Sequence, residues 1–344
     1  MNGRLTEEFD EALELLQGTG PEFHDSKYSN HGPMAAEALG RLGRADAIVP
    51  WVRGYRGQLD VHPRAFRAIE GDYREALGDL SRFGDWVAFF DRELAADSWR
   101  AVLERWIQIL APGVAAAATH GVIRTAHAVR ALADREDALR IHEVAEGLGY
   151  WAARYQPIVA HAQTTVATPS VALAALPMGV VRPERNIMET LARVGGTEQF
   201  RLSAGLVSTE LDADAFIDDI TVGFAHAYLT NVRAGASPIP FIHGVTGPRA
   251  VRILVSYVPT DVGRELMRWT WLAAAAIYEG YAEQSFAIGS DAERAVDFDD
   301  LIEQAVSTND EHAIKFTEAC LDQYAQTKRF VFLEAASDVV VRLA

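Results

Sequence analysis

Three of the ten histidines in this 344-residue chain are followed directly by glycine: His31-Gly32, His120-Gly121 and His243-Gly244. Each pair stands at or near a run of small or apolar residues, and none of the other seven histidines has this context. Imidazole is the commonest side-chain metal ligand and a general acid or base near neutral pH. A glycine beside it removes a side chain and admits close backbone approach to whatever the imidazole contacts. A fourth histidine, His312, precedes Lys315 by three residues in Asn309-Asp310-Glu311-His312-Ala313-Ile314-Lys315-Phe316. That stretch reads as a helix start, with Asn309 or Asp310 as N-cap and acidic residues where the helix dipole favours them. His312 and Lys315 then share one face, which also carries Ala319 and should look inward.

A lysine on an inward face has to be neutral, paired or led out to solvent, because a buried ammonium is costly. Composition alone favours the plain solution, in which Lys315 snorkels or pairs with Glu311 or Glu318. The alternative makes His312 a metal ligand and Lys315 a chemically special amine. The remaining histidines lack such a setting. His127 shares a helical face with His120 and reads as its structural neighbour. His142, beside Glu143 and Glu146, reads as solvated, and His24, His62, His161 and His226 read as ordinary surface or core histidines.

The composition narrows the function classes. With 49% hydrophobic and 23% charged residues the chain can bury a large core. A net charge of −16 and the lack of a Lys/Arg block argue against a nucleic-acid or anionic-membrane partner. The single cysteine, Cys320, excludes an internal disulfide. Residues 1–18 are acidic and amphipathic, without the basic start and apolar core of a signal peptide. The Ala-rich run from Ala111 to Leu132 is broken by His120, Arg124, His127 and Arg130, so no membrane span is expected. The expectation is a cytoplasmic protein of open oligomeric state, a homodimer included.

The elements that must position these residues read as helices. Helical patterns cover Thr6 to Leu16, Pro33 to Leu42, Asp46 to Tyr55, two or three helices between Tyr73 and Ile109, Val114 to Ala133 and Asp137 to Tyr155. The segment from Pro21 to Gly32 reads as irregular, and Gln163 to Val181 as a loop with a short helix. Arg182 to Leu211 has little periodicity. Asp212 to Val232 and Gly263 to Gln284 read as long helices. Between them Gly235 to Pro240 reads as a turn, and Phe241 to Val258 as two apolar runs split by Gly247-Pro248. Phe298 to Ser307, the stretch from Asn309 and Gln326 to Leu343 close the chain. Strand alternation is scarce, so the expected fold is all-α: one large multi-helix domain spanning 1–344 around a central metal site.

The segments Tyr28-Ser29-Asn30-His31-Gly32-Pro33-Met34-Ala35-Ala36-Glu37-Ala38-Leu39, His120-Gly121-Val122-Ile123-Arg124, His243-Gly244-Val245-Thr246 and Glu311-His312-Ala313-Ile314-Lys315 resemble those of the questin oxidase-like family. The resemblance runs from near residue 20 to near residue 325. That family includes fungal enzymes that open the central ring of anthraquinones at a non-haem iron. The resemblance implies Fe(II) on His31, His120, His243 and His312, with Lys315 as a fifth ligand after carbamylation by CO2, and O2 as co-substrate.

Four imidazoles and one hard anionic oxygen suit Fe(II), and the histidines must be neutral to bind. Carbamylation in turn requires a neutral lysine, depressed by burial from its usual pKa of about 10.4. Thr246, one turn from His243, could hydrogen-bond an oxygen species or simply its own backbone. A flat aromatic substrate such as an anthraquinone or its hydroquinone would be gripped by aromatic faces, with Trp51, Tyr55, Trp151, Tyr155, Trp271 and Tyr278 as candidates against a plain packing role. The same ligands would also suit a zinc-type hydrolase, and without metal the chain would be a helical ligand-binding protein.

Overall fold

The structure is a computed structural model that describes residues 5–344 apart from 25, 27, 161–166, 185, 208–211, 290–292 and 294. His161 therefore lies outside the described residues. The fold is all-α, with sixteen α-helices and one two-stranded ribbon among the described residues. No described helix is long and apolar enough to cross a membrane. The chain divides into two compact units, one built on residues up to 157 together with 253–262 and the other on 158–252 with 263–344.

The first unit contains α1 (Glu7–Leu16), β1 (Thr19–Phe23), α2 (Gly32–Arg41), α3 (Ala45–Tyr55), β2 (Leu59–Val61), α4 (Phe83–Ala96), α5 (Trp99–Leu110), α6 (His120–Asp134) and α7 (Ala138–Ala153). Helix α5 shows how its sequence dictates its seat. Ser98 caps it by accepting from the Ala101 amide, and Trp99, Val102, Leu103, Trp106, Ile107 and Leu110 form one buried stripe. Trp106 closes an edge-on aromatic cluster with Trp86, Phe89 and Phe90, centroids 4.9–5.8 Å apart. Helix α7 packs against both α4 and α6. Its approach to α6 is close because small residues meet there: a Cβ on Gly147 would lie 2.9 Å from the Thr125 backbone.

Two expectations for this unit are corrected. The segment read as irregular from Pro21 begins inside a ribbon in which Thr19 pairs with Val61 and Phe23 with Leu59, with a bulge between. The Ala-rich helix expected from Val114 starts only at His120. Residues 114–119 form turns, and Ala117, Ala118 and Thr119 all take positive φ, at 50°, 55° and 72°. Alanine prefers helix, so nothing local announces this left-handed stretch.

The second unit contains α8 (Pro169–Ala175), α9 (Ile187–Gly195), α10 (Glu198–Ser203), α11 (Ala213–Arg233), most of α12 (Pro238–Val255) and α13 (Thr260–Tyr281), then α14 (Phe298–Ser307), α15 (Glu311–Thr327) and α16 (Val331–Arg342). Asp212, Asp297 and Asp310 each cap the helix that follows by accepting backbone amides. Gly247-Pro248 does not split α12, which runs through Pro248. Residues 241–251 are buried without interruption, and that packing outweighs the hydrogen bond Pro248 cannot make. The closing helix begins at Val331 rather than near Gln326, because Lys328 turns the chain left-handed at φ 58°.

Candidate metal-ligating histidines and lysine

In the first unit His31 sits immediately before α2, and its carbonyl starts the helix by accepting from the Ala35 amide at 2.9 Å. The loop before it is fixed by Asn30, whose side chain donates to the Gly20 carbonyl at 2.9 Å and accepts from the Gly32 amide at 2.8 Å. The His31 amide donates to the Tyr55 hydroxyl at 2.7 Å. His120 opens α6, and the two buried rings lie 4.5 Å apart between centroids.

The left-handed stretch before His120 has a visible effect. It turns the Ala117 carbonyl to within 2.6 Å of His120 Nδ1, which must donate to it because a carbonyl only accepts. The tautomer is thereby set, with the lone pair on Nε2, which is how proteins orient a metal-ligating histidine. Left-handed alanines cost about 1–2 kcal/mol each. Strain held at this point, directly before a buried imidazole, belongs to a site that the rest of the unit over-determines.

His127, two turns further along α6, faces Glu37 at 2.9 Å. Burial pushes the Glu37 carboxyl up, and Arg130, His127 and Arg41 together outweigh it, so the group is held well below the usual carboxylate range. His127 is thus part of a buried ion-pair network joining α2 to α6, as its reading as a structural residue expects.

In the second unit His243 lies within α12 and His312 in the first turn of α15, ring centroids 5.8 Å apart. Asp310 caps α15 by accepting from the His312 and Ala313 amides at 2.8 and 3.0 Å. The two helices are tied together by Arg249, itself 3% exposed, which donates to Glu318 at 2.6 Å and to Asp322 at 3.0 Å. Lys315 is also only 3% exposed, so it does not snorkel, and Glu318 is engaged with Arg249.

The electrostatics follow from this burial. Lys315 is pushed down to about 8 by burial, against the opposing pull of Glu311 and Asp310. His243 is pushed down to about 3 by burial and by the neighbouring Lys315. His312 is held well below its ordinary value by burial, Lys315 and His243. The cluster thus favours neutral imidazoles and a readily deprotonated amine, the protonation states in which these groups bind a metal or react as nucleophiles. By donor chemistry the residues fit a divalent metal.

The Thr246 hydroxyl donates to the Ile242 carbonyl at 3.0 Å, the backbone role that was its alternative reading. Most of the aromatic candidates are committed to packing. Trp151 and Trp271 donate to the Gly113 and Ala204 carbonyls at 3.0 and 2.6 Å, Tyr55 stacks on Trp51, and Tyr155 lies across Gly113. The glycines of the three His-Gly pairs have a common use. A Cβ would meet Leu16 at 2.8 Å from Gly32, the Trp151 backbone at 2.7 Å from Gly121 and the Phe224 ring at 2.0 Å from Gly244. Each lets its histidine's segment sit against a neighbour, rather than opening space beside the imidazole itself.

Sequence reasoning missed a second polar cluster. Glu143 and Glu146 of α7 are buried and take Arg124 of α6 as a shared partner, with His62 2.8 Å from Glu146. Their spacing of three on an apolar helix, with Arg124 one turn after His120, was the available signal. No protein-family profile matches this chain, and no curated protein matches it in sequence.

Proposed function

We propose that the chain is a non-haem iron oxygenase that cleaves or oxygenates an aromatic polyketide such as an anthraquinone or its hydroquinone. His31, His120, His243 and His312 would hold a single Fe(II), with Lys315 as a carbamylated fifth ligand. The observation that carries this reading is Lys315: a lysine 3% exposed, pushed down to about 8, one turn from His312 and beside His243. Its neutral amine can add to CO2, forming an N–C bond and releasing one proton, and the resulting carbamate relieves the burden of a buried ammonium. The His120 tautomer set by Ala117 supports the same assignment. Bound iron would supply one-electron chemistry toward O2, which these side chains lack. The chain's own part is to keep four imidazoles neutral and oriented and to provide the anionic oxygen.

The test is elemental analysis of freshly purified protein and of His312→Ala, paired with O2 consumption on a reduced anthraquinone. Near-stoichiometric iron that is lost in the variant, with substrate-dependent O2 uptake in the parent, is expected. Zinc at the same level without O2 uptake would replace this reading with a metal-dependent hydrolase. No metal in either protein would end it.

A further inference from the structure

His243 and Arg249 stand six residues apart on α12, and His312 and Glu318 stand six apart on α15. Across the two helices the histidine rings lie 5.8 Å apart between centroids, and Arg249 Nη2 donates to Glu318 Oε1 at 2.6 Å. Equal offsets in the same chain direction mean that α12 and α15 run side by side and parallel over this stretch, about 9 Å at 1.5 Å per residue. Lys315 lies midway between the two points of contact on α15, three residues from each.

Arg249 makes the second of these contacts in a particular way. It is 3% exposed, and it reaches Glu318, 5% exposed, through Nη2 and Asp322 through Nε at 3.0 Å. Glu318 and Asp322 are four residues apart, one turn of α15. A planar guanidinium whose two nitrogens meet carboxylates one turn apart defines both how far α12 has slid along α15 and how it is rotated, which a point charge does not. The opposite relation of α12, to α11, is fixed by other means: Gly244 lies against Phe224, and Arg252 pairs with Asp218. A buried ion pair adds little net stability over apolar side chains of similar volume, and its best-attested use is to specify registry.

We propose that Arg249 is a positioning residue: through Glu318 and Asp322 it sets the register of α12 on α15, and with it the distance from His243 to His312 and Lys315. Ligand constellations tolerate a displacement of only about 0.5 Å, so a small slide of α12 would take His243 out of a shared centre. The register belongs to the fold itself; its consequence for a metal rests on the function proposed above.

Removing Arg249 alone would leave Glu318 buried and unpaired, and stability would fall for that reason. The test therefore replaces the pair, as Arg249→Met with Glu318→Leu, while Asp322, with its side chain 33% exposed, keeps contact with water. Arg249→Lys, which retains the charge and loses the fork, is the second variant. Three quantities are measured on the full-length protein: the urea midpoint, the NOE between the His243 and His312 rings in metal-free, histidine-labelled protein, and the affinity for Co(II) from its visible absorption. The apolar pair is expected to match or exceed the parent's urea midpoint, to lose the NOE, and to bind Co(II) about tenfold or more weakly, the scale for losing outer support of metal ligands. Arg249→Lys is expected to weaken the NOE and Co(II) binding by less. No NOE in the parent, an NOE or a Co(II) affinity unchanged in both variants, or a loss of Co(II) that only tracks a fallen urea midpoint would overturn the proposal. A parent that binds no Co(II) but whose NOE is lost in the variants would end the metal reading and uphold the role of Arg249 in the register.

Discussion

Replacing Gly244 by alanine tests whether the His-Gly pairs are packing devices. A Cβ at 244 would lie 2.0, 2.3 and 2.5 Å from three ring carbons of Phe224, on α11, and that ring is fully buried. Carbon atoms settle at about 3.5–4.0 Å, so ring and helix must part by roughly 1.5 Å. Overpacking of this kind costs about 1–3 kcal/mol. Against it stands the gain of alanine over glycine within a helix, about 0.8–1.0 kcal/mol. The net expectation is a loss of about 0–2 kcal/mol, toward the upper end because the approach of 2.0 Å is to a fully buried ring, read as a fall in the urea midpoint at unchanged slope. Phe224→Leu withdraws the ring edge, so a double-mutant cycle should show that Gly244→Ala costs at least about 1 kcal/mol less in that background. In the proposed metal centre His243 moves with α12, so on that proposal the single variant should also hold less metal than the parent. Should Gly244→Ala be as stable as the parent, or the two substitutions be additive, the helix–helix contact would not be what the glycine serves.

Two further outcomes follow from buried charge. Glu37→Gln leaves Arg41, Arg130 and His127 without the carboxylate they share, and should lower stability by about 3 kcal/mol, the scale for breaking a buried pair; a urea-measured loss below about 1 kcal/mol would mean the network is solvated in practice. Glu279, buried on α13, is pushed up to about 7 by burial, although Ser203 donates to it at 2.6 Å. Its folded-state value exceeds the unfolded one, so the folded protein holds the extra proton between pH 4.5 and 7 and stability falls as pH rises through that window. Glu279→Gln should therefore raise the melting temperature at pH 8 and change it little at pH 4, and equal shifts at both would place the effect in packing rather than in titration.

What was legible in the sequence was the helical periodicity and the few residues whose chemistry is out of place on it. Asp212 and Asp310 announced their helices because a cap is a local interaction. The failures are all tertiary. Three consecutive alanine and threonine residues turn left-handed at 117–119 with no glycine or asparagine to signal it, since the conformation is imposed by what packs around it. Pro248 reads as a breaker and is overruled by the burial of both flanks. His142 read as solvated beside Glu143 and Glu146, and nothing local showed that Arg124, from another helix, covers these two carboxylates. The glycines were recognisable as functional in packing, yet Leu16, Trp151 and Phe224 are far from them in the chain, so what they touch could not be read.

The placement of the four histidines carries one more step. His31 precedes α2, His120 is the first residue of α6 and His312 stands in the first turn of α15, so three of the four lie where a helix dipole is positive; only His243 is within its helix. A positive end disfavours imidazolium, and at His312 it works with burial to keep the ring neutral. The same field opposes a dication. A metal held by those imidazoles therefore needs anionic charge supplied with it, and a neutral Lys315 amine supplies none. Asp310 is occupied in capping α15. Burial pushes the Glu311 carboxyl up, toward its neutral form. Of the residues in the proposed centre, Lys315 alone can acquire the missing charge by reaction, so the proposal of a carbamate there rests on the placement of the histidines as well as on the burial of the lysine.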